Sequence, residues 1–153
     1  MKINIKKLRE TAKIPTRGSD SAAGYDLYAD IVDENVPYKI MTATIHSHET
    51  LKVGTGIALE IPEGYFGAIF ARSGLATRQG LRLANCLGVL DSDFRGEVIV
   101  ALHNDSSTPQ AFSNHDRIAQ LVILPYLPIE FNEVDELNQT GRGEGGFGHT
   151  GKD

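Results

Sequence analysis

The sequence predicts an all-β fold with one short helix. Three observations point there: apolar residues recur at every second position, turn residues punctuate the chain at short intervals, and no run of helical length carries an apolar face at i, i+3, i+4 and i+7. Many short strands of this kind close into a sandwich, a jelly roll or a barrel. A length of 153 residues suits one domain with a core of its own.

In chain order, Ile3–Leu8 and Lys39–His46 are the first candidate strands. Ile57, Leu59 and Ile61 alternate with Ala58 and Glu60, Pro62–Gly64 supplies a turn, and Phe66–Ala71 follows as a further strand. Residues 73–80 (SGLATRQG) break the alternation and read as one or two helical turns, with Ser73 as N-cap and Gly80 as the positive-φ residue at the end. Asn85–Gly96 reads as strand, tight hairpin, strand. Val98, Val100 and Leu102 alternate with Glu97, Ile99, Ala101 and His103, and Ile118–Leu124 is apolar enough for a strand covered on both faces. Glu130–Val134 is the last candidate strand. Beyond it, residues 141–151 hold six of the sixteen glycines, leaving an ordinary ten in the first 140 residues. Such a segment buries too little apolar area to order itself. The chain therefore divides into a β-domain over residues 1–137 and a Gly-rich arm over residues 138–153.

Composition narrows the partners. Fifteen Lys and Arg against 20 Asp and Glu give a net charge of −5, which argues against a general nucleic-acid binder. The one cysteine, Cys86, excludes a disulfide scaffold and a multi-thiolate zinc site. The basic N-terminus lacks the apolar stretch of a signal peptide, and Leu121–Leu124 is far too short to span a bilayer. A reducing cytoplasm, with no membrane partner, is the expected compartment.

Four groups could carry chemistry. Arg72-Ser73-Gly74, at a strand-to-helix junction, combines a fork-shaped cation, a hydroxyl, free helix N–H groups and a residue permitting close approach, which suits a phosphate. Taken alone it reads more readily as an N-cap beside a surface arginine. A carboxylate at the end of a β-ribbon, Asp91 or Asp93, could deprotonate water, though both are also ordinary turn residues. Arg142 and Phe147 in the arm could meet a phosphate and stack on a planar base, or belong to a plain linker. His46 and His48 could share a strand face, but no third metal ligand accompanies them.

Together these segments resemble the trimeric dUTP diphosphatase (dUTPase) family, which carries five motifs in fixed order. They correspond here to residues 23–29 (AGYDLYA), 71–76 (ARSGLA), 88–96 (GVLDSDFRG), 116–121 (DRIAQL) and 142–151 (RGEGGFGHTG). The likeness runs from about Pro15 to the C-terminus. It implies a distorted jelly-roll or β-clip barrel with one short helix, assembled as a homotrimer whose sites are shared between subunits, the arm crossing to a neighbour. The implied reaction converts dUTP to dUMP and pyrophosphate, keeping uracil out of DNA and supplying dUMP for thymidylate synthesis. Asp91 would activate the water that attacks the α-phosphorus. Arg72, Ser73, Gly74 and Gln120 would hold the triphosphate, Arg142 would reach the γ-phosphate, and Asp26 would stand behind them. Mg2+ would be held by the phosphates and water, with no protein ligand cluster. The backbone of Gly88, Val89 and Leu90, with Asn85 beside it, would match uracil, and Phe147 and Gly148 would close over the base. Phe94, where the family often has tyrosine, would pack on the deoxyribose and exclude a 2′-hydroxyl.

Other departures are His115, where the family commonly has glycine, expected to alter a turn away from the phosphates, and His149-Thr150 in the last motif. The resemblance also sets the rivals aside. A dCTP deaminase of the same superfamily would need a glutamate where Ala101 stands. A lectin would favour the tryptophan this chain lacks. A dUTP-sensing binder without turnover would lack Asp91 or the arm.

Overall fold

The computed structural model describes residues 1–31 and 41–147. Among them lie twelve strands: β1 (Asn4–Lys7), β2 (Thr16–Arg17), β3 (Tyr25–Tyr28), β4 (Thr42–Ile45), β5 (Thr50–Gly54), β6 (Ile57–Glu60), β7 (Tyr65–Ala71), β8 (Leu81–Leu83), β9 (Gly88–Leu90), β10 (Ile99–Asn104), β11 (Gln110–Ser113) and β12 (Arg117–Pro125). One helix, α1 (Ser73–Gln79), follows β7. Every pairing is antiparallel. A five-stranded sheet runs β2-β3-β12-β7-β9, a three-stranded sheet runs β5-β10-β8, and β1-β6 and β11-β4 form ribbons. The alternation read from the sequence is what fills the core: Ile57, Val98, Val100, Leu102 and Ile118 are all buried in one cluster with Leu27, Ile45, Leu81 and Leu83. Each such side chain contributes about 1.5–3 kcal/mol by leaving water.

Two polar groups share that interior because their hydrogen bonds are met. Asn104 donates to the carbonyls of Ile45 (2.9 Å) and Thr108 (2.8 Å) and accepts from Ser106 N (2.9 Å) and Oγ (2.7 Å). Thr55 Oγ1 donates to the Val98 carbonyl at 2.6 Å. A satisfied buried amide fixes one register where an apolar residue would allow several.

Four expectations need correction. Glu130–Val134 is exposed and forms no strand, because no neighbouring strand offers it a ladder. Asn85–Gly96 is not a hairpin: β9 pairs with β7, and the chain then turns at Asp91–Phe94 without a second strand before β10. Ser73 is the first helical residue, not the N-cap; Arg72 holds that place with extended φ and makes no side-chain cap bond. β12 lies between β3 and β7, yet Val122, Ile123 and Leu124 are only half-buried, so its second half is not covered on both faces. Gly80 does end the helix with φ 68°. Pro62–Gly64 does turn, with Gly64 at φ 82°, but β6 and β7 enter different sheets. Of the Lys39–His46 candidate, residues 39 and 40 lie outside the described residues.

His115 resolves its own departure. It adopts φ 69°, the left-handed conformation a glycine would supply there, and its Nε2 lies 2.8 Å from the Thr11 carbonyl. The ring ties the turn to the N-terminal segment.

Candidate active site

The antiparallel register of the five-stranded sheet sorts the candidate residues into separate clusters. At one end, β12 sets Gln120 opposite Asp26 of β3 and Phe70 of β7. Asp26 is buried, at 3% exposure. Its Oδ2 accepts from Arg117 Nη1 at 3.2 Å, and Arg72 Nε stands 3.2 Å from its Oδ1. The Arg72 contact lies off the hydrogen-bonding axis, so Oδ1 and Nε are paired by charge while neither gains an aligned bond. Arg72 Nη1 in turn donates to the Arg117 carbonyl at 3.0 Å. Two guanidiniums on one buried carboxylate leave a net positive charge held in a fixed place. Ser73 and Gly74 begin α1 beside them, and a Cβ built at Gly74 meets nothing within 4 Å, so the space before it is open. Gln120 packs against Gly24, where a Cβ would stand 3.4 Å from that of Gln120. A cavity of about 240 Å³ adjoins the cluster, with Arg72, Leu75, Asp116 and Arg117 in its wall.

The second cluster is at the opposite end. β9 runs antiparallel to β7 with Gly88 opposite Ile69 and Leu90 opposite Gly67. Gly88 fits closely there: a Cβ would lie 3.0 Å from that of Ile69. Asn85 is exposed in the preceding turn, where Cys86 takes φ 60° and the Asn85 carbonyl accepts from Leu87 N at 2.6 Å. Past Leu90, Asp91 enters a turn in which Phe94 N donates to the Asp91 carbonyl at 3.2 Å. An open cleft of about 910 Å³ has Ile61, Phe66, Val89, Asp91, Asp93 and Arg95 in its wall. The two aspartates therefore face one space. Phe94 is partly exposed, and a Cβ at Gly96 would come within 2.6 Å of its Cζ.

These clusters do not meet. Continuing the register puts Asp91 opposite Phe66, whereas Arg72 is six residues further along the same strand direction, roughly 20 Å away at about 3.3 Å per residue. The described part of the arm, residues 138–147, joins neither: Arg142 Nε donates to the Gly145 carbonyl of its own turn at 2.8 Å, and Phe147 is fully exposed. Gly148, His149 and Thr150 lie outside the described residues. Among the described residues no three His, Cys, Asp or Glu side chains gather to hold a metal ion, and no helix is long and apolar enough to cross a membrane.

Sequence reasoning missed two participants. Arg117 sits in the fourth motif, and that placement was the available signal. The other is a triad with no local signature. Arg9 Nε donates to Asp30 Oδ2 at 2.6 Å, and its Nη1 and Nη2 donate to the two Glu97 oxygens at 3.1 and 2.5 Å. Gly56 N adds a bond to Glu97 Oε1 at 2.8 Å. The Arg9 hydrogen bond, opposed by partial burial and aided by the Gly56 N–H, holds the Glu97 carboxyl below the ordinary carboxylate range.

Four antiparallel sheets around one core, with a single two-turn helix, define an all-β protein of the jelly-roll class. A family model for dUTPase matches residues 10–151, and the chain belongs to the dUTPase family. It is 45% identical to a deoxyuridine 5'-triphosphate nucleotidohydrolase of Desulfitobacterium hafniense (strain DSM 10664 / DCB-2), over 99% of this chain and 97% of that protein. Its fold is similar to a glycine-to-serine variant of the Staphylococcus bacteriophage 80alpha dUTPase with dUpNHpp, at TM-score 0.84 and 25% identity over 98% of each chain. A dUTPase variant from phage phi11 of S. aureus, described for its coordination of a structural Mg(II) ion, is similar in fold at TM-score 0.74 and 22% identity, over 91% of this chain and all of that one.

Proposed function

We propose that the chain hydrolyses dUTP to dUMP and pyrophosphate, with Asp91 as the base that takes a proton from the attacking water. The observation that carries this reading is Asp91 in the wall of a nucleotide-sized cleft, within a chain matched to the family over residues 10–151. Little covalent chemistry falls to the protein in phosphoryl transfer, so placement and charge neutralisation do most of the work. Water attacks the α-phosphorus in line and loses its proton to Asp91 as pyrophosphate departs. Arg72, held by Asp26, meets the triphosphate with Ser73, Gly74 and Gln120, and Arg142 comes to the γ-phosphate. The backbone of Gly88, Val89 and Leu90, with Asn85, reads uracil; Phe94 excludes the ribose hydroxyl; Phe147 and Gly148 cover the base. Mg2+ enters as part of the substrate, on the phosphates.

A complete site needs more than one chain. Arg72 and Asp91 are too far apart in one copy to reach adjacent phosphates of one nucleotide, so Asp91 of one copy faces Arg72 of another. We therefore assign the active form as a homotrimer, with the arm over residues 138–153 crossing to a neighbour. The exposed Leu127, Ile129, Phe131 and Leu137 support this, since so much apolar surface favours cover by another copy. The work is done in the cytoplasm, on a free nucleotide and not on nucleic acid.

The test is pyrophosphate release with Mg2+ from each dNTP and from UTP, with mass measured in the same buffer. The expected result is turnover of dUTP alone by a species of three chains. Equal turnover of several nucleotides, or full activity in a monomer, would contradict the proposal.

A further inference from the structure

The turn that carries Asp91 and Phe94 is held differently at its two ends. At its start, β9 is paired to β7 up to Leu90. Within the turn, Arg95 Nη1 donates to the carbonyls of Ser92 (2.6 Å) and Phe94 (2.9 Å), bonds that shape the turn. Arg95 Nη2, 3.9 Å from Glu60 Oε1 of β6, adds only a loose, exposed charge contact with the body. Attachment resumes just past Gly96. There Glu97 takes both Nη groups of Arg9 and the Gly56 N–H, and Val98 N donates to the Ile57 carbonyl at 2.9 Å. Arg9 is itself fixed on the buried Asp30. Gly96 lies between this anchor and the ring: the position of its missing Cβ is 2.6 Å from Phe94 Cζ and 2.9 Å from Cε2. The Phe94 ring thus rests on the Gly96 backbone, and that backbone is located by the next residue's grip on Arg9.

We propose that Arg9 and Glu97 are positioning residues for sugar discrimination, acting through Gly96 on the Phe94 ring. The inference rests on the reading of Phe94 as the group that excludes a 2′-hydroxyl. A bidentate arginine–carboxylate pair defines both distance and plane, which a single charge contact does not. Steric exclusion of one hydroxyl tolerates little movement of the excluding ring. Asp91 is held from the β9 side, so loosening the clamp reaches Phe94 before it reaches the base.

The experiment measures kcat and KM for dUTP and UTP, with Mg2+, on the full chain and its variants Phe94→Ala, Arg9→Ala, Glu97→Ala, Glu97→Gln and Arg9→Ala/Glu97→Ala. The preference for dUTP should fall on the order of tenfold in each alanine clamp variant, chiefly through KM for UTP, with kcat for dUTP within about threefold of the parent. The double variant should lose no more than the worse single one, since both act through one contact. Glu97→Gln keeps the side-chain shape and the Gly56 bond, so it remains folded and should lose preference in the same direction by less. A parental preference in Glu97→Gln and both alanine variants, with Phe94→Ala having lost it, would overturn the clamp while leaving the role of Phe94 intact. An unchanged preference in Phe94→Ala would overturn both together.

Discussion

Asp91 stands where β9 ends and the chain turns away from β7, which carries its carboxylate into the wall of the cleft. In the proposed reaction this carboxylate takes water's proton, and an amide in its place keeps the shape and removes the base. Asp91→Asn should therefore bind dUTP near parental affinity by calorimetry while kcat falls about 10²–10⁴-fold; an unchanged kcat would remove Asp91 from its role. Asp26, Arg72 and Asp91 were singled out in the sequence by five motifs in a fixed order that resembles the dUTPase family; their residue types alone left Asp91 and Asp93 undivided and gave Asp26 no part. His115 was half legible: that it stands in a turn where the family commonly has glycine was visible, but its left-handed backbone and its ring contact with Thr11 were not. The Arg9–Asp30–Glu97 triad was not legible at all. Its members are isolated charges brought together across long sequence separations by β1, β6 and the turn at Gly56, and no local pattern encodes that.

At the level of elements, period-2 alternation located the strands whose apolar faces fill the core, such as β10, and placed α1 to within a residue. It offered little at Glu130–Val134, where the apolar Phe131 and Val134 stand three apart, and the segment is exposed and pairs with no strand among the described residues. The supposed hairpin at Asn85–Gly96 failed for a related reason. β9 finds its partner in β7, so the turn beyond it is free to present Asp91 and Phe94 instead of pairing. The arm is an element in the functional sense only. Among the described residues its bonds run within residues 140–145, and Phe147 is fully exposed. Deleting residues 141–153 should leave thermal stability and oligomer mass unchanged while kcat/KM for dUTP drops at least about 10²-fold, the loss expected when a closing segment no longer excludes water or holds the last phosphate. Full activity after that deletion would contradict a closing role.

On the scale of the whole molecule, the net charge of −5 argues against polyanion binding in general, yet it does not forbid a triphosphate. Arg72 and Arg117 concentrate positive charge on one buried carboxylate, and local potential, not the total, decides what a small ligand meets. The antiparallel arrangement of β7 and β9 then separates that cation pair from Asp91 by most of a strand's length, so sharing between chains is the central claim. Arg72→Gln and Asp91→Asn proteins, each expected to be inactive alone, can be mixed in equal amounts, unfolded together and refolded, and assayed for pyrophosphate release from dUTP. Random assembly puts an intact Arg72 and an intact Asp91 from different chains at about a quarter of the sites, so about a quarter of parental activity should return. No recovery from mixtures that refold to the parental mass would mean that one chain supplies both residues, and would contradict the account.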